Sequence, residues 1–210
     1  VMARNLIAYR RVPQLLIFST IQPVVFVLLF RYVFGGAIST PGVSYVDFLM
    51  PGIFAQTVAF GAINTSIGLA TDMQAGLIER FRSLPMARSA VLGGRTLADL
   101  VRNVFVVALM FAVGFAVGWR VHTGLVPLIG AVLLVLLFGF ALSWIFATVG
   151  LIVADPEAAQ AAAFPVMAPL VFASNAFVPV ASMPDWLQPF AEHQPLSVVV
   201  TAVRDLTIGG

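Results

Sequence analysis

The sequence predicts an all-α protein, a bundle of transmembrane helices, and three observations carry that prediction. Of 210 residues, 60% are hydrophobic and only 10% are charged. A soluble domain carries about a quarter charged residues, so this chain lacks the polar surface to cover a water-soluble globule. The mean hydropathy is strongly positive. Uncharged apolar runs of about 18 residues or more, the length that crosses roughly 30 Å of hydrocarbon, recur along the chain. Each such run must be helical, because a lone strand cannot satisfy its backbone in lipid.

Five spans are legible within a single transmembrane domain over 1–210. The first covers about 13–34, with Arg31 one turn inside its far end, where it can snorkel, touch substrate or pair with Asp47. The second covers 48–71. The third, 103–119, lies between Arg102 and Arg120, with Asp99 and Arg102 set to pair at its inner end. The fourth covers 125–154 and the fifth 158–178. Asp155 followed by Pro156 is a strong helix start before the fifth, and Pro165 and Pro169 predict a kink in it. A sixth span is expected beyond residue 210.

Arginine placement sets the predicted orientation. Arg4, Arg10 and Arg11 precede the first span, and Arg80, Arg82, Arg88 and Arg95 lie in the 72–96 link. The 35–47 link has no arginine, and the link after the third span has only Arg120. The N-terminus and the 72–96 link are therefore predicted cytoplasmic. By alternation the 155–157 link is cytoplasmic too, and 179–205 extracytoplasmic. In that outer segment Ser182 to Asp185 fits a helix start, followed by Trp186, Leu187 and Phe190 on one face, a short helix lying at the membrane surface.

Composition also excludes chemistry. All 11 basic residues are arginine. A phosphate-binding loop of the G-x-x-x-x-G-K-[ST] kind needs a lysine, so the chain cannot hydrolyse ATP by itself, and Schiff-base chemistry is excluded likewise. Cysteine is absent, which removes disulfides, thiolate nucleophiles and Cys-ligated metal. His122 and His193 are too few and too far apart for a metal cluster, and both read as solvated. A net charge of +2 gives no nucleic-acid footprint. No catalytic residue, bound cofactor or metal is expected.

Span two carries a seam: Thr57, Gly61, Asn64 and Gly68 fall on one helical face. That face should look into the protein, since Asn64 in lipid is costly. It serves either close helix packing through small residues or a polar lining of a translocation path formed by Thr57 and Asn64. Gly114 and Gly118 form a G-x-x-x-G in span three, read as helix packing. Trp119 and Trp186 read as interface anchors, and Trp144, deep in span four, as core.

The 72–96 link is too polar for lipid, yet Leu77, Ile78, Phe81 and Leu84 recur at helical spacing. An amphipathic helix along the membrane follows, either resting on lipid or docking a cytoplasmic partner. Its residues carry a resemblance: Gly76-Leu77-Ile78-Glu79-Arg80-Phe81-Arg82-Ser83-Leu84-Pro85-Met86-Ala87-Arg88, with Gly94-Arg95-Thr96-Leu97-Ala98-Asp99 after it. Two further stretches join it, the outer segment from Asn175 to Phe190, and Gln194-Pro195-Leu196-Ser197 with Val203-Arg204. Together they resemble the membrane subunit of type-2 ABC exporters, of the daunorubicin-resistance permease kind, over nearly the whole chain.

The resemblance implies a permease of usually six spans, two of which assemble with two separate ATPase subunits that bind ATP and Mg. It implies that the 72–96 link is the coupling helix, with Leu77, Glu79, Arg80, Phe81, Arg82, Leu84 and Pro85 meeting the ATPase, and that the basic N-terminal segment is an interfacial elbow helix. The expected partners are that ATPase, a second permease copy (identical or not) and membrane lipid, in the cell membrane. The expected activity is export of a hydrophobic or amphipathic drug, lipid or glycolipid. The rival is a transporter or channel driven by an ion gradient, which would want acids at the membrane midplane; none lies in the five spans as drawn. A membrane-embedded enzyme would need a cluster such as H-E-x-x-H, and the sequence has none.

Overall fold

The computed structural model describes residues 13–36, 38, 40, 42–76, 89–153 and 155–209, and every regular element among them is helical. The basic N-terminal segment lies outside them. Helix α1, Pro13–Leu29, contains Pro23. It continues into one π-helical turn, Phe30–Phe34. Helix α2 covers Tyr45–Gln74, 30 residues, or about 45 Å. Its start is capped reciprocally: the Ser44 hydroxyl accepts from the Asp47 amide at 3.2 Å and donates to the Asp47 carboxylate at 2.7 Å. That carboxylate also accepts from the Arg120 amide at 3.0 Å, so Asp47 is engaged there, while Arg31 sits 6.0 Å over the Tyr32 ring.

Helix α3 covers Ser89–Ala116. It starts well before the third span as read from sequence, and Asp99 and Arg102 are therefore interior to it. Gly118 adopts φ +100°, a left-handed conformation that favours glycine. The Trp119 amide donates to Gly114 O at 2.9 Å and the Gly118 amide to Phe115 O at 3.3 Å, the two bonds of a Schellman C-cap. The G-x-x-x-G is thus half packing and half helix stop. Gly114 leaves room for Met50 and Trp119, and Gly118 turns the chain so that Trp119 folds back into the core. Trp119 is fully buried against Phe54 and Phe111, at 5.3 and 5.2 Å between ring centroids. It is a core residue, not an interface anchor.

Helix α4 is Leu125–Val153 and helix α5 is Pro156–Phe172. The expected start of α5 is present: the Asp155 side chain accepts from the Ala158 amide at 2.8 Å, and Pro156 takes the first helical position. Pro165 and Pro169 lie inside α5. Trp144 is 39% exposed on the outer side of α4, so the sequence reading of it as core is corrected. Among the described residues, three helices are long and apolar enough to cross a membrane: α2, α3 from Leu92, and α4. At 17 residues, α5 reaches only about 26 Å.

The segment after α5 departs from expectation. Ser182 does not cap a helix; it ends a 3-10 turn, Val180–Ser182, and its hydroxyl donates to Pro179 O at 2.7 Å. The short helix α6 begins only at Gln188 and ends at His193, so Trp186 and Leu187 precede it. Trp186 is 78% exposed, in keeping with a surface anchor. A further helix, α7, covers Pro195–Ile208. Leu196, Val200 and Val203 are buried in the bundle, where α7 packs on α2 and α4. The last part of the segment read as extracytoplasmic thus forms a helix with one buried face.

The hub is α2, which packs on α4, α5, α3, α7 and α1. Gly150 of α4 lies directly against the Ser66 backbone of α2, which brings the two long helices together. The bundle has two ends. Gln74, the start of α3 and Asp155 share one, where the Gln74 amide donates to the Asp155 carboxylate at 2.8 Å. Tyr45, Arg120, Asn175 and α7 share the other.

Candidate translocation site

The α2 face picked out by sequence meets α3. Two glycines admit two arginines: a Cβ at Gly61 would lie 2.9 Å from an Arg102 guanidinium nitrogen, and one at Gly68 would collide with the Arg95 guanidinium. Arg102 donates to Gly61 O at 2.9 Å and to Asn103 Oδ1 at 3.3 Å, and stands 3.7 Å from the Asp99 carboxylate. Asp99 also accepts from the Thr65 hydroxyl at 2.6 Å. Toward the link end, Arg95 pairs with Asp72 at 3.2 Å. The result is a ladder of charges along the α2–α3 seam, from the mouth of the 77–88 link to the middle of α2.

The upper rung was misplaced by sequence reasoning. Asp99 and Arg102 do pair, but within the membrane-crossing part of α3, with side chains only 2% and 5% exposed. Gly61, which Arg102 touches, lies near the middle of the 30-residue α2, so the pair sits well inside the bundle. Asp99 lies outside the spans as drawn from the sequence but inside the stretch of α3, Leu92–Ala116, that is long and apolar enough to cross a membrane. Sequence reading treats charges as span boundaries; here the pair is interior because glycine opposite makes room and each charge has partners. Such a group is tolerated in a membrane only when it faces the protein or a wet cavity.

Beside the pair opens a cavity of about 330 Å³, within the size range of small-molecule sites. Four helices line it: α1 through Gln22, α2 through Gln56, Thr57, Phe60 and Asn64, α3 through Arg102 and Asn103, and α5 through Gln160 and Phe164. Thr57, Gly61 and Asn64 all line it, but Asn64 is exposed and Thr57 and Gly68 only half-buried, so this stripe is the least buried face of α2 and not the inward one expected from the sequence. The Thr57 hydroxyl donates back to Ile53 O at 2.6 Å. Sequence reasoning missed Gln22, Gln56, Arg102, Asn103 and Gln160. Glutamines inside otherwise apolar spans were the available signal, because an uncharged amide in lipid also needs a polar neighbour.

At the opposite end a second polar cluster fastens the fold. The Arg204 guanidinium lies 3.5 Å over the Phe48 ring and donates to Phe48 O at 3.0 Å and Asn175 O at 2.6 Å. Asn175 donates to Thr201 at 2.8 Å, its amide reaches Ser197 at 3.2 Å, and Gln194 donates to Ala173 O at 3.0 Å. The stretches that carried the resemblance here are the ones that clamp α7 to the turn after α5. His122 and His193 are exposed, and the described residues hold no group of three or more metal-ligating side chains.

The proposed coupling residues Leu77, Glu79, Arg80, Phe81, Arg82, Leu84 and Pro85 lie outside the described residues. Their flanks are described: α2 stops at Gln74, Gly76 follows at φ +65°, and α3 resumes at Ser89. The 77–88 stretch therefore joins α2 and α3 at the end where the Arg95–Asp72 rung stands.

Long apolar helices beside a half-open cavity of mixed polar and apolar lining fit a multi-pass membrane protein. The model of the ABC-2 type transporter family matches residues 1–208, and the chain belongs to that family. It is 36% identical over 206 residues to the daunorubicin resistance ABC transporter permease protein DrrB1 of Streptomyces coeruleorubidus, covering 98% of this chain and 73% of that one. It is 29% identical over 193 residues to the probable doxorubicin resistance ABC transporter permease protein DrrC of Mycobacterium tuberculosis, covering 91% and 70%. A putative transport permease, ycf38 of Cyanophora paradoxa, is 27% identical over 207 residues, 97% and 71% of the two chains. The chain is thus the membrane subunit of an ABC exporter. The ion-gradient alternative has no support in these relatives.

Proposed function

We propose that this permease forms the export path for a hydrophobic or amphipathic compound through the cavity among α1, α2, α3 and α5. One observation carries the reading: a ligand-sized cavity, lined by polar as well as apolar side chains, among four helices of an otherwise apolar bundle. A separate ATPase subunit, holding ATP and Mg, would dock on the 77–88 link, and a second permease copy would complete the path. Two relatives bear daunorubicin or doxorubicin resistance in their names, which makes an anthracycline-like drug the first substrate to try; lipid and glycolipid remain in the same class. The protein sits in the cell membrane with its N-terminus and the 72–96 link cytoplasmic, an orientation supported by the arginine asymmetry.

The absence of cysteine makes both halves testable. In the full-length transporter, Thr57→Cys and Asn64→Cys should react with a small thiol reagent. The reaction should block export, and transported drug should slow it. Thiol modification that neither drug nor export responds to would remove the path reading. For orientation, Thr40→Cys should label only from outside intact cells; labelling only after the cytoplasmic face is opened would invert the topology.

A further inference from the structure

The turn that follows α5 is held by side chains from other elements. Its carbonyls at 173, 175 and 177 each take a donor from elsewhere in the chain: Gln194 Nε2 at 3.0 Å, Arg204 at 2.6 Å and the Tyr45 hydroxyl at 3.1 Å. A carbonyl left there without a donor is costly. Arg204 reaches furthest of the three, because it also donates to Phe48 O and lies over the Phe48 ring, and so joins α7, α2 and the turn. Its partners are carbonyls and a π face; among the described residues no carboxylate stands within ion-pair distance of it. Burial pushes the guanidinium down to about 9. A cation held in that way regains hydration when it moves out, which offsets part of what it loses in bonds.

The tied segment is also the outer end of a cavity wall. Helix α5 lines the cavity through Gln160 and Phe164. Between there and the turn, Pro165 and Pro169 remove two amide donors from the helix, which makes it a place to bend. Phe177 of the turn stacks on Phe30 at 4.5 Å and packs on Phe26 and Phe172 at 5.9 and 6.0 Å between ring centroids. Phe26 is one turn outward of Gln22 on α1, and Phe172 two turns outward of Phe164 on α5, so these rings stand between the cavity and the outer end. Resting on the path reading above, we propose that Arg204 is the positioning residue of the exit: its hold on Asn175 O keeps the turn and its phenylalanine closed, and release of that contact lets the outer half of α5 bend away and the cavity open outward.

The test uses the full-length permease with its ATPase, freed of any other cysteine. Asn175 Nδ2 lies 2.8 Å from Thr201 Oγ1, so Asn175→Cys with Thr201→Cys can be bridged by a short bis-methanethiosulfonate that reductant removes. Bridging should abolish export, and reduction should restore it, because the turn must leave α7 in each cycle. A contact that never breaks would export at the unbridged rate. In a second arm, Thr57→Cys is exposed to an impermeant thiol reagent added outside. Arg204→Leu should speed that reaction roughly tenfold, the loss of about one charge-assisted hydrogen bond. Arg204→Lys, which keeps the charge but not the fork, should fall between. Unchanged export after bridging, or a thiol at position 57 indifferent to Arg204→Leu, overturns the latch and leaves the path reading standing. The bridging arm keeps Arg204 and decides alone if Arg204→Leu misfolds. Export that bridging blocks but modification at position 57 does not touch upholds the latch and removes the path reading.

Discussion

Helices α2 and α4 make an instructive pair. They differ by one residue in length, and α4 is the more hydropathic, yet 83% of the most apolar window of α2 is buried inside the protein against 28% for α4. In a water-soluble domain the ranking would be reversed. In lipid, apolar surface gains nothing by turning inward, since hydrocarbon tails are as apolar as leucine. What must turn inward is the polar residue. So α4 spends Leu133, Leu137 and Ile145 on the outside, about 60% exposed each, while α2 carries Gln56, Thr65, Ser66 and Asp72 into the interior. Hydrophobicity reports lipid contact here, and polarity reports the core.

That contrast can be broken most sharply at the buried pair. Asp99→Leu strands Arg102 without its carboxylate well inside the bundle and should cost about 3–5 kcal/mol, read as loss of folded protein in detergent. Asp99→Leu combined with Arg102→Leu should recover much of it, because two well-packed apolar side chains can replace a buried pair. If the single and double variants are equally stable, the pair does not hold the α2–α3 seam.

Next in size is the close approach of α2 and α4. Gly150→Leu drives a side chain into the Ser66 backbone and should cost about 3 kcal/mol, at the upper end of overpacking. Normal thermal stability for this variant would show that the two helices are further apart than described.

A comparable effect, this time on assembly, is expected in the link beyond the described residues. If the 77–88 link docks in an ATPase cleft, Phe81→Ala should cost about 2 kcal/mol or more, a roughly thirtyfold loss of affinity. The permease should keep normal abundance while export falls. Co-purification with the ATPase decides it; equal recovery with unchanged export would remove the coupling assignment. Glu79→Arg should do less, and its effect should fade with salt.

The smallest effect belongs to the outer face of α4. Leu133→Val and Leu137→Val exchange one lipid-facing side chain for another and should stay within about 0.5 kcal/mol. A loss above 2 kcal/mol would mean that this face meets protein, such as a second permease copy, instead of lipid.

How far the sequence could see follows from the same physics. The helix count up to α5 and the capped start of α5 at Asp155 were legible, because each depends on local pattern; the face of α2 was not, since Asn64 is exposed and Thr57 and Gly68 are only half-buried. Asp99–Arg102 was legible as a pair but not in depth, since pairing is local whereas burial depends on Gly61 and Thr65 of another helix. Trp119 and Trp144 exchanged roles: the Schellman turn at Gly118 swings one into the core, and the other simply falls on the lipid side of α4. Ser182 looked like a cap because the motif spans only four residues, and nothing local reveals that the chain still has to return as α7.

By itself the sequence determined the solvent: 10% charge over 210 residues admits little but a membrane, and without lysine these residues hold no phosphate-binding loop of the G-x-x-x-x-G-K-[ST] kind. It also picked out the polar stripe of α2 through Thr57 and Asn64. Only the tertiary structure decided what that stripe meets. Gln22, Gln56, Asn103 and Gln160 are far apart in the chain and become one cavity because α1, α3 and α5 pack around α2. Local propensity fixes where helices run, but a cavity exists only where several helices leave their polar side chains no other place to go.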